Sequence, residues 1–385
     1  MYQGNRTIQS LKKFISSIRD PLDNRGKKYS IHESIILVII GFICGKSDYT
    51  NMAHFLKLRE RQLKQYMELK NGVPSHDTLN RHIAMIDEDE LTYALCGWSM
   101  EMIGNPEKRH YIMDGKALRA STNKTKDEKI PYVLNLIDQV TKILLFQKGI
   151  GEKENEISSI PKILDVIGMK DSVITIDAIG TQYRIMDRID KVGGYYILSV
   201  KDNQPKLNED IQLYLDYMMK NEKENVQMME EKEKNHGRYE KRRYILVECP
   251  EETVDPRFKT IKMAGKVIRE REIINYRGKE QKSLQEVIYV TNKSDIKIEE
   301  FASYIRNHWT IENSLHWVLD DSFSEDRSTV KKGKVNSSLI RKSAYNIVRL
   351  HQQTMKDRSV EYIMDELESN MQQLFKYIND ELILE

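Results

Sequence analysis

Residues 173–200 read VITIDAIGTQYRIMDRIDKVGGYYILSV, and this run decides the fold. Val173-Ile174-Thr175-Ile176 is a short strand of apolar and β-branched residues that stops at Asp177. Residues 182–191 carry apolar positions at helical spacing, Gly193-Gly194 breaks that helix, and 195–200 is strand again. A strand, a helix and a strand in succession make a crossover between parallel neighbours. Upstream, 111–114 is a strand ending at Asp114. Residues 132–137 and 142–147 are two more, joined at Asp138-Gln139-Val140-Thr141 as a hairpin, and 156–167 is a helix. The order β-β-β-α-β-α-β predicts an α/β fold, a mixed sheet with helices on its faces. It is the order of the ribonuclease H-like fold.

On either side the pattern changes. Residues 1–105 read as helical throughout: an apolar helix over 32–45, an amphipathic one over 51–68, and a helix over 78–85 capped by Ser75 or Asp77 after the break Asn71-Gly72-Val73-Pro74-Ser75. Two helices around a tight turn suit a major groove, and generic helical packing gives the same pattern. After Pro205 comes a long helix, then 221–243, where 13 of 23 residues are charged; such a run is expected as a solvated helix face or loop. Strands are expected at 244–248, 260–267, 272–276 and 287–291, as a β-rich insertion. A strong helix over 298–319 and amphipathic helices end the chain. The expected segments are 1–105 (helical, DNA-binding or assembly), 106–204 (core, first part), 205–298 (charged helix and β-rich insertion), 299–355 (core, second part) and 356–385 (helical tail).

Composition narrows the class. The 385 residues hold 61 Lys+Arg against 59 Asp+Glu, a net charge of +2, so any basic surface must be local. Cys44, Cys96 and Cys249 form no CxxC pair, which argues against a disulfide framework and a thiolate zinc site. The longest apolar run, 35–44, falls well below the roughly 20 residues that span a bilayer. Without an apolar leader segment either, the expected location is the cytoplasm. No Ser triad or Gly-rich phosphate loop stands out.

Three acids do. Asp114 and Asp177 each end an apolar strand, the edge where ligands collect in α/β sheets; many such aspartates merely cap the next helix. Glu312 lies on a stripe of Ile305, Trp309, Glu312, Leu315 and Leu319, where a carboxylate is costly to bury unless paired or metal-bound. An ion pair with Arg306 is the bland alternative. His308 and His316 stand one turn either side of Glu312, a ladder that could bind a transition metal, but their spacing is not that of zinc hydrolases; they are read as flanking the acid and hydrogen-bonding to DNA. Carboxylates converging from two strands and a helix suit Mg²⁺, two ions of which clamp an in-line phosphoryl displacement.

Several motifs carry a resemblance. Met113-Asp114-Gly115-Lys116-Ala117-Leu118-Arg119, Lys153-Glu154-Asn155-Glu156-Ile157, Ile174-Thr175-Ile176-Asp177-Ala178-Ile179-Gly180 and the run from Arg306 through His308-Trp309-Thr310-Ile311-Glu312 to His316-Trp317 closely resemble the H-repeat-associated family of insertion-sequence transposases. Asn71 to Thr78 resembles the family's N-terminal associated region, and Phe323-Ser324-Glu325-Asp326 the segment after its catalytic helix. The likeness runs in order over about 20–350. It implies a DDE transposase with a ribonuclease H-like core, Asp114, Asp177 and Glu312 being both its catalytic triad and its metal ligands. Implied with it are two Mg²⁺ ions (Mn²⁺ able to substitute), double-stranded DNA as terminal repeats and target, and a homodimer on DNA. The wider superfamily often has Arg and Lys where this chain has His308 and Leu319, and closer members read Lys-Gly-Asn-Gln at Lys201-Asp202-Asn203-Gln204.

Candidate DNA contacts are Lys116 and Arg119 beside the first acid, Arg238, Lys241, Arg242 and Arg243 in the insertion, His308 and His316 on the helix, and Lys331, Lys332 and Lys334 after it. Trp309 and Trp317 are candidates for stacking on a frayed base, although the stripe assigns Trp309 to the core. Two alternatives stay open: a domesticated metal-dependent DNA nuclease, and a DNA-binding protein with inert acids.

Overall fold

The computed structural model describes residues 6–7, 10–22, 27–105, 108–118, 130–150, 156–235, 238–274, 280–355, 357–379 and 383–384. In chain order the first elements are β1 (Arg6–Thr7), α1 (Leu11–Ile15), α2 (Ile31–Ile43), α3 (Tyr49–Leu58), α4 (Glu60–Leu63), α5 (His76–Met85) and α6 (Glu88–Ile103). Next come β2 (His110–Ala117), β3 (Tyr132–Asp138), β4 (Leu144–Ile150), α7 (Glu156–Ile167), β5 (Val173–Ile176), α8 (Tyr183–Lys191), β6 (Tyr195–Val200) and α9 (Pro205–Asn221). The long strands β7 (Gln227–Asn235), β8 (Arg238–Glu248), β9 (Met263–Ile274) and β10 (Glu280–Thr291) follow. Then come α10 (Ile298–His308), a π-helical turn (Glu312–His316), α11 (Trp317–Asp321), α12 (Lys334–Thr354), α13 (Val360–Ser369), α14 (Met371–Ile378) and β11 (Ile383–Leu384). This is a mixed α/β protein. Among the described residues no helix is long and apolar enough to cross a membrane.

The chain forms two compact units, each built from separate segments. One gathers Met1–Asn105, Asp114–Glu154 and Ile311–Glu385; the other gathers Pro106–Met113 and Asn155–Thr310. The boundary falls inside β2.

The first unit is centred on α2 and α12. Ser30 starts α2 with a capping box, its hydroxyl accepting from the Glu33 N–H while the Glu33 carboxylate accepts from the Ser30 N–H. Burial follows from composition: Ile31, Ile35, Leu37, Val38, Ile39, Ile40 and Ile43 are fully enclosed, each worth about 1.5–3 kcal/mol against exposure. Gly41 lets α3 approach, since a Cβ there would lie 2.3 Å from Met52 Cγ. The amphipathic stretch expected over 51–68 is two helices, interrupted at Arg59 (φ −102°, ψ 7°). Ser75, not Asp77, caps α5. β4 and β3 pair antiparallel, with β3 next to β2, and β1 pairs with β11.

In the second unit the strand order is β2, β5, β6, β10, β9, β8, β7. The first three run parallel and the rest alternate antiparallel. The charged run expected as helix face or loop is instead β7 and β8, and the separate strands expected at 260–267 and 272–276 are one strand, β9. Phe301, Ala302 and Ile305 of α10 pack on Val173, Ile197, Leu246, Met263 and Val267. Gly265 allows this, because a Cβ there would meet Phe301 Cζ at 2.7 Å.

Candidate active site

Asp114 was expected to end its strand; β2 runs on to Ala117, so the acid sits in mid-strand. Its neighbour Gly115 is required, for a Cβ would lie 2.0 Å from the Tyr132 hydroxyl oxygen on β3. The Asp114 side chain is 20% exposed.

The helix expected over 298–319 is interrupted. It turns at Trp309, where α10 ends, then widens into the π turn before α11. A π turn adds a residue to the helical repeat and re-aims the side chains on it. Ile305, Leu315 and Leu319 of the expected stripe are buried, but Trp309 is 50% exposed, with the Arg269 guanidinium over its ring. Trp309 is therefore not core. Glu312 is also exposed, which removes the burial cost that singled it out. Arg306 pairs with Glu231 at 3.1 Å.

The π turn separates the two histidines. His316 is buried, and its Nδ1 lies 3.4 Å from Glu312 Oε2 and 3.6 Å from Asp114 Oδ2. Ligand atoms of Asp114, Glu312 and His316 all fall within 4.8 Å of one another, a group fit to hold a cation. The imidazole expected to flank the acid and hydrogen-bond to DNA is thus buried and turned to two acids. His308 instead places Nδ1 3.0 Å from Thr175 Oγ1, the hydroxyl that His110 Nε2 also meets at 3.0 Å.

Asp177, in the second unit, follows β5 and caps a 3₁₀ turn over Ala178–Gly180. Burial pushes its carboxyl pKa up. Lys201 Nζ at 2.9 Å, the Ala178 N–H at 2.6 Å and the charge of His308 outweigh that and hold it below the usual value. Asn203 Nδ2 donates to the Ala178 carbonyl at 2.7 Å. Lys201 and Asn203 were not among the expected site residues; their signal was the Lys201-Asp202-Asn203-Gln204 run. In the parallel pairing of β2 with β5, Met113 is opposite Ile176, and each of the two is followed in the chain by an aspartate.

The basic candidates fare unequally. Lys116 is buried and paired with Asp320 and with Glu325 (3.1 Å), so a phosphate contact there means breaking both pairs. On β8, Lys241 pairs with Glu230 (2.9 Å), Arg242 with Glu233 (3.2 Å) and Glu240 (2.7 Å), and Arg243 with Glu270 (2.7 Å). Lys331 and Lys332 are exposed, Lys334 is partly so, and Trp317 is 58% exposed. Arg119, the side chain of Arg238, residues 153–155 and the side chains of Glu156 and Ile157 lie outside the described residues.

The model of the transposase DDE domain matches residues 105–347, and that of the DDE_Tnp_1-associated region matches 12–99. YhhI of Escherichia coli (strain K12), an H repeat-associated protein named as a transposase, is 31% identical over 345 residues, covering 89% of this chain and 90% of that one. YncI of Escherichia coli O157:H7, also named as a transposase, is 30% identical over 355 residues, covering 89% and 88%. Among solved structures there is a likeness to the piggyBac transposase synaptic complex with hairpin DNA, with a TM-score of 0.40 at 12% identity, covering 96% of this chain and 77% of that one. The chain belongs to the transposase DDE domain family, among its H repeat-associated transposases.

Proposed function

We propose that this transposase cuts DNA at the ends of an insertion element and joins the freed 3′-hydroxyls to target DNA. Asp114, Asp177 and Glu312 are its cation-holding carboxylates, on a ribonuclease H-like core. The observation that carries the reading is the cluster of two carboxylates and an imidazole within 4.8 Å, inside the span matched by the DDE domain. Ligands about 2.1 Å from a shared ion lie at most about 4.2 Å apart, so a contraction of some tenths of an ångström fits the cluster to a cation. The β2–β5 register, with an aspartate following each of two paired residues, supports including Asp177. The order β2, β3, β4, β5, β6 with helices between the later strands supports the core assignment.

Held by Asp114, Asp177 and Glu312, two divalent cations, Mg²⁺ with Mn²⁺ able to substitute, would supply positive charge for the departing oxyanion and would acidify the attacking water or 3′-hydroxyl. The protein's own part is to keep the acids ionised and fixed. Lys201 and the Ala178 N–H keep Asp177 charged. Tyr132 packed over Gly115 fixes the strand beside Asp114. Exposed Lys331 and Lys332 meet DNA phosphates, and two copies act on paired element ends.

Asp177→Asn tests this reading, since it removes a charge and almost no volume. Cleavage of terminal-repeat DNA with Mg²⁺ or Mn²⁺ should fall by roughly 10³-fold or more, the several kcal/mol such a cation contributes, while DNA binding persists. Unchanged cleavage removes Asp177 from the site. Strand joining to a target duplex separates a transposase from a nuclease alone.

A further inference from the structure

We propose that His316 is a nitrogen ligand of the cation held by Asp114 and Glu312, and that this site prefers first-row transition ions such as Mn²⁺ to Mg²⁺. The inference deepens the function proposed above and rests on it.

Three observations lead here. His316 Nδ1 faces both acids, 3.4 Å from Glu312 Oε2 and 3.6 Å from Asp114 Oδ2, and ligand atoms of all three lie within 4.8 Å of one another, so an ion between the carboxylates meets the imidazole as a third donor. The ring has no other polar business. Its side chain is 7% exposed, and Nε2 is buried with no hydrogen-bond partner among the described residues. A merely structural position would be filled more cheaply by an apolar side chain, which leaves no polar atom unpaired. Finally, Glu312 and His316 bound the π turn, a distortion frequent at functional sites.

The preference follows from ligand chemistry. Mg²⁺ is small, hard and reluctant to exchange water for anything but oxygen. Imidazole suits Fe²⁺, Ni²⁺, Cu²⁺ and Zn²⁺ best; Mn²⁺ stands at the weak end of that series but, as a transition ion, gains more from a nitrogen donor than Mg²⁺ does. An all-carboxylate site gives a nitrogen no part, whereas this one spends a ligand position on it. Mg²⁺ can still bind through the carboxylates, so the imidazole adds affinity for one class of ion without excluding the other. Ligation through Nδ1 leaves the ring proton on Nε2.

The test uses the full chain without DNA and less than one equivalent of Mn²⁺. Pulsed electron paramagnetic resonance should show ¹⁴N modulation from a coordinated imidazole in the wild-type protein. Labelling its histidines with ¹⁵N should replace that signal, and His316→Gln should abolish it. Mn²⁺ affinity should drop about tenfold or more in His316→Gln, with a smaller drop for Mg²⁺ in competition. The wild-type spectrum needs no variant to fold. Mn²⁺ bound without ¹⁴N modulation, or modulation that survives His316→Gln, overturns the ligand and leaves the carboxylate site standing. No Mn²⁺ bound at all overturns both.

Discussion

Glu325 shows how much of the surroundings of Asp114 depends on one buried charge. Its carboxylate is 2% exposed, within 3.1 Å of Lys116 Nζ and 3.6 Å of Lys342 Nζ, and accepts from the Ser338 hydroxyl at 2.8 Å. Lys342 Nζ also donates to Gln147 Oε1 at 2.6 Å. The network ties β2, two residues past Asp114, to α12 and to Asp320 of α11. Burial alone would raise the Glu325 carboxyl pKa, but Lys342, Lys116 and Arg341 prevail and bring it to about 2. In the unfolded chain the group titrates near 4.5. The stability it contributes is therefore whole above that value and is lost as pH falls through about 4.5 towards 2. Lys342 goes the other way: burial outweighs Glu325 and brings it to about 8, so the native state sheds this proton first and its cost shrinks between about 8 and 10.5. Glu325→Gln leaves buried cations without their shared partner and should cost about 3–5 kcal/mol at neutral pH. It should also flatten the acid limb between pH 4.5 and 2. Urea unfolding across pH measures both, and a loss below about 1 kcal/mol would discard the network as a stabiliser. Glu325 was visible in the sequence as part of Phe323-Ser324-Glu325-Asp326. Its burial was not, because its partners come from residues far away in the chain.

Elements were legible where one chain segment decides them, and illegible where a neighbour does. The strand, helix and strand of 173–200 lie within a residue or so of their expected bounds, since the apolar periods and Gly193-Gly194 are local signals. The run over 221–243 was read as helix face or loop because dense charge hides the strand period; its charges, largely in contact with solvent, match across strands, as Lys241 with Glu230 and Arg243 with Glu270 do. The π turn was hidden because Ile305 before it, Leu315 within it and Leu319 after it are all apolar at spacings a plain helix also allows. For the site, Asp114 and Glu312 were picked out and lie in one group with His316, whose burial beside them no local signal shows. This has a consequence for DNA. A cation already matched within the sheet displaces few counterions from a phosphate, so Lys241→Ala with Arg243→Ala should change the slope of log affinity against log salt by less than about one unit. Lys331→Ala with Lys332→Ala, in an exposed segment, should flatten it by nearly two. Anisotropy titrations over a range of salt decide this, and the opposite ranking would move the DNA surface to β8.

At the scale of the whole chain, consecutive segments are the units a sequence can show, and neither compact unit is one. The second unit takes Pro106–Met113 from one place and Asn155–Thr310 from another. What joins them is strand pairing: β5 has β6 on one side and His110–Met113 of β2 on the other. A fragment of residues 155–310 keeps β5 through β10 and α10 but strips that outer partner. The strand left bare is Val173–Ile176, four buried residues with no charge among them, the kind of edge that recruits other chains. Residues 155–310 alone should therefore aggregate. The same fragment preceded by residues 106–113 and a flexible linker of about twelve residues, enough for a parallel connection, should be monomeric and unfold cooperatively in urea. Gel filtration and urea titration compare the two. If the bare fragment is monomeric and cooperative, β2 is dispensable to this unit; if the linked one still aggregates, the unit depends on more of the chain than strand pairing supplies.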